Sequence, residues 1–200
     1  MTALERLRLT NRDAWLAPLA LGALMLALQA ANIASLRYER DAILRGGEVW
    51  RLVTGHLVHA DAAHLAWNLA GLVLVAWLFV REYSRRDWLV ILVASTAAVD
   101  LGFLVLEPHL EWYVGFSGVL HGLMAAGLLA WLVRYPDAVT ALVVVLFVAK
   151  LGWEHLVGPL PFTAQTLSLP VIHSAHTYGA VGGFLAAGVC LRRRRPASPL

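Results

Sequence analysis

Six stretches of this 200-residue chain are apolar enough, and approximately long enough, to cross a lipid bilayer as helices. A transmembrane helix needs about 20 mostly apolar residues. The stretches lie at residues 14–36, 62–80, 88–106, 112–133, 138–157 and 171–191. Hydrophobic residues make up 60% of the chain, against roughly 45–50% in a soluble domain. We therefore expect an all-α, six-helix membrane protein in which residues 1–200 form a single domain surrounded by lipid.

The basic residues predict how these helices are oriented, because cytoplasmic connections carry an excess of Lys and Arg. One alternating set of connections holds eleven arginines: Arg6, Arg8, Arg12, Arg81, Arg85, Arg86, Arg134 and Arg192 to Arg195. The opposite set holds four: Arg37, Arg40, Arg45 and Arg51. Both termini are thus expected in the cytoplasm, and spans two, four and six run from outside to inside. The net charge of +3 reflects this topology and does not indicate a nucleic-acid partner.

Four polar side chains begin the three inward-running spans. His64 and Asn68 lie early in span two, Ser117 early in span four and His176 early in span six. At about 1.5 Å per residue, all four are expected within roughly 10 Å of the outer surface. Ionisable groups inside a membrane are costly and usually mark a functional site. The sequence therefore predicts one polar site that opens to the outer side.

Ser117 and His176 have the chemistry of a nucleophile and its base. A serine hydroxyl is a weak nucleophile until a base takes its proton, and imidazole titrates near neutral pH. The two side chains must then come within about 2.6–3.2 Å, which requires closely packed helices. Small residues allow that approach, although they are also common in ordinary helix packing. The glycines in question are Gly118 and Gly122 in span four and Gly179 and Gly183 in span six.

Acyl transfer also needs hydrogen-bond donors for the developing oxyanion. The Ser117 N–H lies at a helix start, where backbone donors lack intrahelical acceptors. His64 and Asn68, four residues apart, share one helix face, and we favour them as further donors over a plain interhelical bond from Asn68. His121, one turn after Ser117, could be an alternative base or a core histidine, but we expect it to support the site. His173 is expected to be an interfacial polar residue.

Three charged residues in the outer halves of spans three and five are more ambiguous. Asp100 lies in span three, and Lys150 and Glu154 lie in span five. Buried charges need partners, so a structural ion network is the favoured interpretation. They could also line a route for water or substrate. The single cysteine, Cys190, excludes an intrachain disulfide and a cysteine-based metal cluster.

With these residues in place, the chain resembles the rhomboid intramembrane serine proteases over roughly residues 15–191. The matching residues are Trp50-Arg51 in the first loop; His59, His64 and Asn68 in the second helix; Gly115-x-Ser117-Gly118 at the nucleophile; and Ala175-His176, Gly179 and Gly183 in the sixth helix. The resemblance implies a six-helix rhomboid-like bundle with Ser117 as nucleophile and His176 as base. It also implies an oxyanion site from the Ser117 backbone, His64 and Asn68, with Gly115, Gly118 and His121 supporting it.

One departure from many rhomboids is His121, which stands where they carry a tyrosine. The string Gly-Phe-Ser-Gly-Val-Leu-His-Gly and the short chain are similar to the rhombosortase subgroup. That resemblance implies a cofactor-free endopeptidase of the bacterial inner membrane. Its substrates would be exported proteins with a C-terminal tail made of a Gly-Gly motif, a hydrophobic helix and basic residues.

Three other functions compete with this hypothesis. An inactive relative that binds client helices would be expected to lack Ser117 or His176, and both are present. A membrane metal or haem binder would suit the eight histidines, but the chain has no His-Glu-x-x-His motif. A transporter would be expected to show duplicated halves and discontinuous helices, and neither is clear in this sequence.

Overall fold

The computed structural model describes residues 12–31, 33–158 and 172–193, and most of these residues are helical. After a 3-10 turn (Arg12–Trp15), the helices are α1 (Leu16–Gln29), α2 (Ile33–Leu36), α3 (Arg40–Leu44), α4 (Arg51–Thr54), α5 (Ala62–Phe79), α6 (Arg85–Leu106), α7 (Ser117–Arg134), α8 (Ala138–Leu156) and α9 (Ser174–Arg193). Two short antiparallel strands, β1 (Tyr38–Glu39) and β2 (Trp112–Tyr113), pair Tyr38 with Tyr113 and Glu39 with Trp112. The expectation of a purely helical chain therefore misses this small sheet.

Four helices in the described part of the chain, α5 to α8, are long and apolar enough to cross a membrane. Helix α1 is apolar but has only 14 residues, and the 20-residue α9 is diluted by glycines and two terminal arginines. Large apolar side chains are exposed along the outer faces, as lipid contact requires. On α8 these include Val139, Leu142, Val145 and Val148. The fold is a helical, multi-pass bundle, and the count of six spans stays a prediction.

The predicted first span, residues 14–36, is wrong as one continuous helix. Helix α1 ends at Gln29, and residues 33–36 form the separate helix α2. The Gln29 side-chain amide makes two hydrogen bonds to the backbone of His59. Its Nε2 donates to the His59 carbonyl at 3.1 Å, and its Oε1 accepts from the His59 N–H at 3.2 Å. This side chain thus ties the end of α1 to the loop before α5, a contact that local hydropathy does not reveal.

The predicted start of the fourth span at residue 112 is also wrong. Residues 112–113 belong to β2, and α7 begins at Ser117. The pairing of β2 with β1 holds this segment extended, and Gly115 then adopts a φ of +118°, a conformation that favours glycine. Ser117 is consequently the first residue of its helix rather than a residue of its second turn.

The other predicted spans agree with the helices to within a few residues. Side-chain caps fix their starts: Asp61 accepts from a backbone N–H of α5, Ser84 and Asp87 form a capping box at α6, and Asp137 caps α8. The sixth predicted span, 171–191, begins at Ser174 as α9, and residue 171 lies outside the described part of the chain.

Helix α7 occupies the centre of the bundle and packs against α5, α6, α8 and α9. Inside the bundle, 56% of the apolar stretch of α7 is buried, whereas only 11% of the apolar stretch of α8 is buried. The closest approach is between α7 and α9, where a side chain on Gly179 would overlap the Gly118 carbonyl and one on Gly183 would overlap the Gly122 carbonyl. The glycine pairs therefore bring the starts of α7 and α9 into backbone contact.

The first loop is fixed to the C-terminal end of α6. The Arg40 guanidinium donates to the carbonyl oxygens of Phe103 and Leu104, both at 2.9 Å, which satisfies the end of that helix. Arg51, of the Trp50-Arg51 pair, is buried and donates to Glu48 at 2.6 Å. The Gly115 N–H donates to the Gly55 carbonyl at 3.0 Å. The loop thereby holds the segment that precedes Ser117.

Candidate active site

Ser117 lies at the start of α7, directly after the turn that contains Gly115. The Tyr113 hydroxyl donates to the Gly115 carbonyl at 2.7 Å and holds this turn in place. Burial raises the pKa of Tyr113 to about 12, so the hydroxyl keeps its proton and remains a donor. The first N–H groups of α7 have no acceptor four residues back in the helix. Ser117 therefore combines a hydroxyl with a backbone donor at one point.

His176 faces this hydroxyl from α9. The His176 Nε2 atom lies 3.1 Å from Ser117 Oγ, which is hydrogen-bond distance. The imidazole is buried, with 5% of the residue exposed. The close approach of Gly118 and Gly179 lets the two helices bring these side chains together. A hydroxyl and an imidazole at this distance can exchange a proton.

The second ring nitrogen of His176 contacts a residue on α8. The Nδ1 atom lies 2.8 Å from Glu154 Oε2 and 3.3 Å from Lys150 Nζ. A carboxylate accepts only, whereas an ammonium donates only. The shorter contact to the acceptor places the proton on Nδ1, so the 3.3 Å approach of Lys150 is a contact between two donors. Nε2 is then unprotonated and accepts from the Ser117 hydroxyl.

His121 stacks on the base instead of competing with it. The rings of His121 and His176 are 4.0 Å apart between centroids and 16° from parallel. His121 Nδ1 donates to the Ser117 carbonyl at 2.7 Å, and its Nε2 accepts from Lys150. Both ring nitrogens are thus engaged away from the Ser117 hydroxyl. This placement agrees with a supporting role and disagrees with a role as the base.

His64 and Asn68 reach the same site from α5. The Asn68 amide donates to the His64 carbonyl at 3.0 Å, while its buried Oδ1 has no hydrogen-bond partner within the described ranges. The His64 ring lies against Gly115, where an added Cβ would be 2.6 Å from its Cε1. Both side chains line a cavity of about 780 Å³ with Ser117 and His176. The structure therefore gathers the four polar residues that the sequence predicts to share one site.

Asp100, Lys150 and Glu154, the three charged residues with two possible roles, lie in two different parts of the structure. Asp100 bonds His56 at 3.1 Å, a buried contact between α6 and the first loop. Lys150 and Glu154 pair with each other at 2.6 Å and lie beside His176 in the cavity wall. Lys150 and Glu154 thus form an ion pair, as the favoured interpretation expects, and they also line the cavity. Their spacing of four residues within an apolar helix was the signal that could have placed them in the site.

The cavity also contains a set of groups that could bind a metal ion. Ligand atoms of His121, Glu154 and His176 lie within 4.8 Å of one another. The Lys150 ammonium contacts all three residues, so a positive charge already occupies the space between them. A divalent cation could enter only by displacing that ammonium against charge repulsion. The donor set thus fits an internal ion pair better than a metal centre.

His173 packs edge-on to His176, with ring centroids 6.2 Å apart. It precedes the first residue of α9 and is partly exposed. That position suits the interfacial polar residue predicted from the sequence. Among the described residues, the Ser117 hydroxyl is hydrogen-bonded to His176 and not to His173.

The burial of His59, just before α5, predicts that the folded protein loses stability in acid. The side chain is fully buried, and burial lowers its pKa to about 3 from an ordinary 6.5. The unfolded chain therefore binds a proton below pH 6.5 that the folded chain rejects, and stability falls as the pH drops from 6.5 toward 3. At pH 5 the expected loss from this group is about 2 kcal/mol relative to pH 7.5.

Thermal unfolding of detergent-solubilised protein at pH 7.5 and pH 5 checks this prediction. His59→Leu should lose part of the pH dependence, whereas His155→Leu, at an exposed position on α8, should keep it. An unchanged pH dependence in His59→Leu would contradict a buried, neutral imidazole at this position.

Comparison with known proteins places these residues in a family context. Residues 46–193 match the family model of the Rhomboid domain. The chain is 28% identical over 153 residues to the rhomboid-type protein YdcA of Bacillus subtilis, covering 74% of this chain and 70% of YdcA. It is 27% identical over 152 residues to the rhomboid protease GluP of Bacillus subtilis, covering 74% of this chain and 27% of GluP. It is 33% identical over 150 residues to RHOMBOID-like protein 7 of Arabidopsis thaliana, covering 72% and 43% respectively. The match thus spans less than half the length of the last two relatives.

Proposed function

This chain belongs to the rhomboid family, and we propose that it is an intramembrane serine endopeptidase with Ser117 as nucleophile and His176 as base. The observation that carries the proposal is the 3.1 Å contact between Ser117 Oγ and His176 Nε2 inside an apolar bundle. A relative named as a protease, GluP, shares the aligned region. An inactive, helix-binding relative would have no need to maintain this contact at the cost of burying polar groups.

The proposed reaction proceeds in two halves. As Ser117 Oγ attacks the scissile carbonyl carbon, His176 Nε2 takes the hydroxyl proton. The resulting imidazolium protonates the leaving amine, and the C–N bond breaks to give an acyl-enzyme on Ser117. Water then attacks the ester while His176 accepts a water proton and returns it to Ser117. No cofactor takes part in these steps.

Three donors are available for the negative charge on the carbonyl oxygen. The Ser117 N–H lies at the helix start, where it has no intrahelical acceptor. Asn68 uses one amide N–H on the His64 carbonyl and retains a second N–H. The His64 ring lines the same cavity. Such fixed donors act strongly in an apolar site, and the loss of one costs about 10²–10³-fold in kcat.

The cavity supports access from the lipid between α5 and α8. Its walls toward the inner half are apolar, with Leu74 and Val75 on α5 and Val143 and Leu146 on α8. A transmembrane substrate segment matches such walls, and its polar peptide group would meet Ser117 near the outer end. We place the protein in the bacterial inner membrane with both termini in the cytoplasm and the site facing the periplasm, as the arginine distribution predicts.

The substrate class that we propose is the C-terminal anchor tail of exported proteins. It rests on the similarity of the segment around Ser117, with His121 in place of tyrosine, to the rhombosortase subgroup. A tail with a Gly-Gly motif before its hydrophobic helix would present an unstrained, small-residue backbone at the depth of Ser117. Glycine also weakens a helix by roughly 0.5–1 kcal/mol relative to alanine, which eases the local unwinding that exposes a peptide bond to attack.

A co-expression assay tests this substrate class. A secreted reporter carries either a Gly-Gly, hydrophobic-helix, Arg-rich tail or a generic transmembrane helix, and the released C-terminus is read by mass spectrometry. Release of the Gly-Gly reporter by wild type, and not by Ser117→Ala or His176→Ala, is the expected result. Cleavage of the generic helix alone would keep the protease and contradict the tail specificity.

Gly115 provides a separate prediction for the oxyanion site. Gly115→Ala should lower kcat by roughly 100-fold, because the added methyl group would displace the His64 ring that it meets at 2.6 Å. Gly47→Ala is the matched control, since Gly47 also has a positive φ, +70°, but an added Cβ would meet no atom of the described residues within 4 Å. Reporter cleavage by purified variants measures the difference. Equal cleavage rates in the two variants would show that the reaction does not depend on where the His64 ring lies.

A further inference from the structure

Helix α8 presents a carboxylate to the base of the proposed protease. Glu154 Oε2 lies 2.8 Å from His176 Nδ1, and each of these residues is only 5% exposed. A buried carboxylate is costly unless a counter-charge and hydrogen bonds compensate it. The proposed reaction of Ser117 and His176 requires no third residue, so this contact is unexplained by the pair alone.

The carboxylate determines which nitrogen of His176 carries the proton. Because Oε2 can only accept, Nδ1 must donate, and the lone pair of Nε2 is left facing the Ser117 hydroxyl at 3.1 Å. We propose that Glu154 is a positioning residue that makes the site a Ser117–His176–Glu154 relay, an inference that rests on the proposed function. In the reaction, Glu154 would also stabilise the imidazolium that forms when His176 takes the proton.

Lys150 keeps this carboxylate ionised and in place. Its ammonium lies 2.6 Å from the same Oε2 atom, one helical turn away on α8. It also donates to His121 Nε2, so the ring stacked on His176 is held neutral and fixed. Charge is therefore balanced within the relay before the substrate arrives, and a single positive charge develops on His176 during the reaction.

The relay depends on how α8 packs against the rest of the bundle. Only 11% of the apolar stretch of α8 is buried in the bundle, although α8 supplies Glu154, the third member of the relay. Ser117 and His176 lie on α7 and α9, whose glycine contacts fix their separation independently of α8. Displacement of α8 would consequently leave the nucleophile and base in contact but remove the group that orients the base.

Steady-state kinetics of reconstituted protein tests the inference with three variants. Glu154→Ala should lower kcat by about 100-fold with KM within about twofold, because only the base is affected. Glu154→Gln should lose about tenfold, since its amide oxygen can still accept from Nδ1 but carries no charge. His155→Gln, at the exposed neighbouring position on α8, should retain the wild-type rate. Formate added to Glu154→Ala should restore part of the rate, as it supplies the missing carboxylate.

The outcomes separate this inference from the proposed function. A wild-type kcat in Glu154→Ala would overturn the relay while leaving the Ser117 and His176 pair intact. A lowered rate that parallels a lowered melting temperature and does not respond to formate would also overturn it, because that result describes a structural residue. Wild-type protein that does not cleave the reporter, or a Ser117→Ala variant that cleaves it at the wild-type rate, would overturn the proposed function, and the relay with it.

Discussion

Ser117→Ala is expected to lower substrate cleavage by about 10⁴-fold or more, because within the described residues Ser117 supplies the hydroxyl that contacts the base. The substitution removes one oxygen atom that lies 3.1 Å from His176 Nε2. The small change in volume at the start of α7 leaves helix packing unchanged, so the folded protein should remain. Cleavage of a transmembrane reporter in proteoliposomes, together with a thermal unfolding curve, measures the two quantities separately.

A second buried serine provides the control for this prediction. Ser95 on α6 is fully buried, and its hydroxyl donates to the Ile91 carbonyl of its own helix at 2.7 Å. Ser95→Ala should therefore leave kcat near the wild-type value. Wild-type cleavage by Ser117→Ala, or an equal loss in both variants, would contradict the role proposed for Ser117.

Gly179→Ala is expected to destabilise the folded bundle by about 3 kcal/mol or more, the upper range for overpacking a tight interior. The added Cβ would overlap the carbonyl oxygen of Gly118, which is backbone and cannot rotate away. Helices α7 and α9 would have to separate, and Ser117 would then lose His176. Since proteins are stable by only about 5–15 kcal/mol, this single methyl group should produce a large fall in the melting temperature.

A glycine two and a half turns further along α9 provides the comparison. A Cβ placed on Gly188 would meet no described atom outside its own helix within 4 Å, so Gly188→Ala should keep or slightly raise stability. Melting temperatures and size-exclusion profiles in detergent distinguish the two variants. If Gly179→Ala melted at the same temperature as Gly188→Ala, the close contact of α7 and α9 would be refuted.

The grouping of His64, Asn68, Ser117 and His176 could be predicted because each depends on one helix only. Hydropathy places each helix, the arginine distribution gives its direction, and the rise per residue gives the depth of the polar group. The glycine spacing on α7 and α9 then favours close packing. These signals are local in sequence, which is why simple patterns were sufficient.

Other features depend on contacts between distant segments and could not be read from a local pattern. The break after α1 follows from the bond between Gln29 and His59, 30 residues apart. The late start of α7 follows from the pairing of β1 with β2. Glu154 lies 22 residues from His176, and its role depends on how α8 is rotated about its axis. Sequence spacing puts Glu154 beside Lys150, but it does not indicate which face meets the base.

Labelling with a fluorophosphonate probe tests the central claim most directly, since the probe reacts preferentially with an activated serine. Wild-type protein in membranes should gain one adduct, which peptide mass spectrometry should place on Ser117. Ser117→Ala should gain none, and His176→Ala should react far more slowly because its hydroxyl has lost the base 3.1 Å away. Folded wild-type protein that gains no adduct, or gains it on a residue other than Ser117, would contradict a serine protease mechanism at this site.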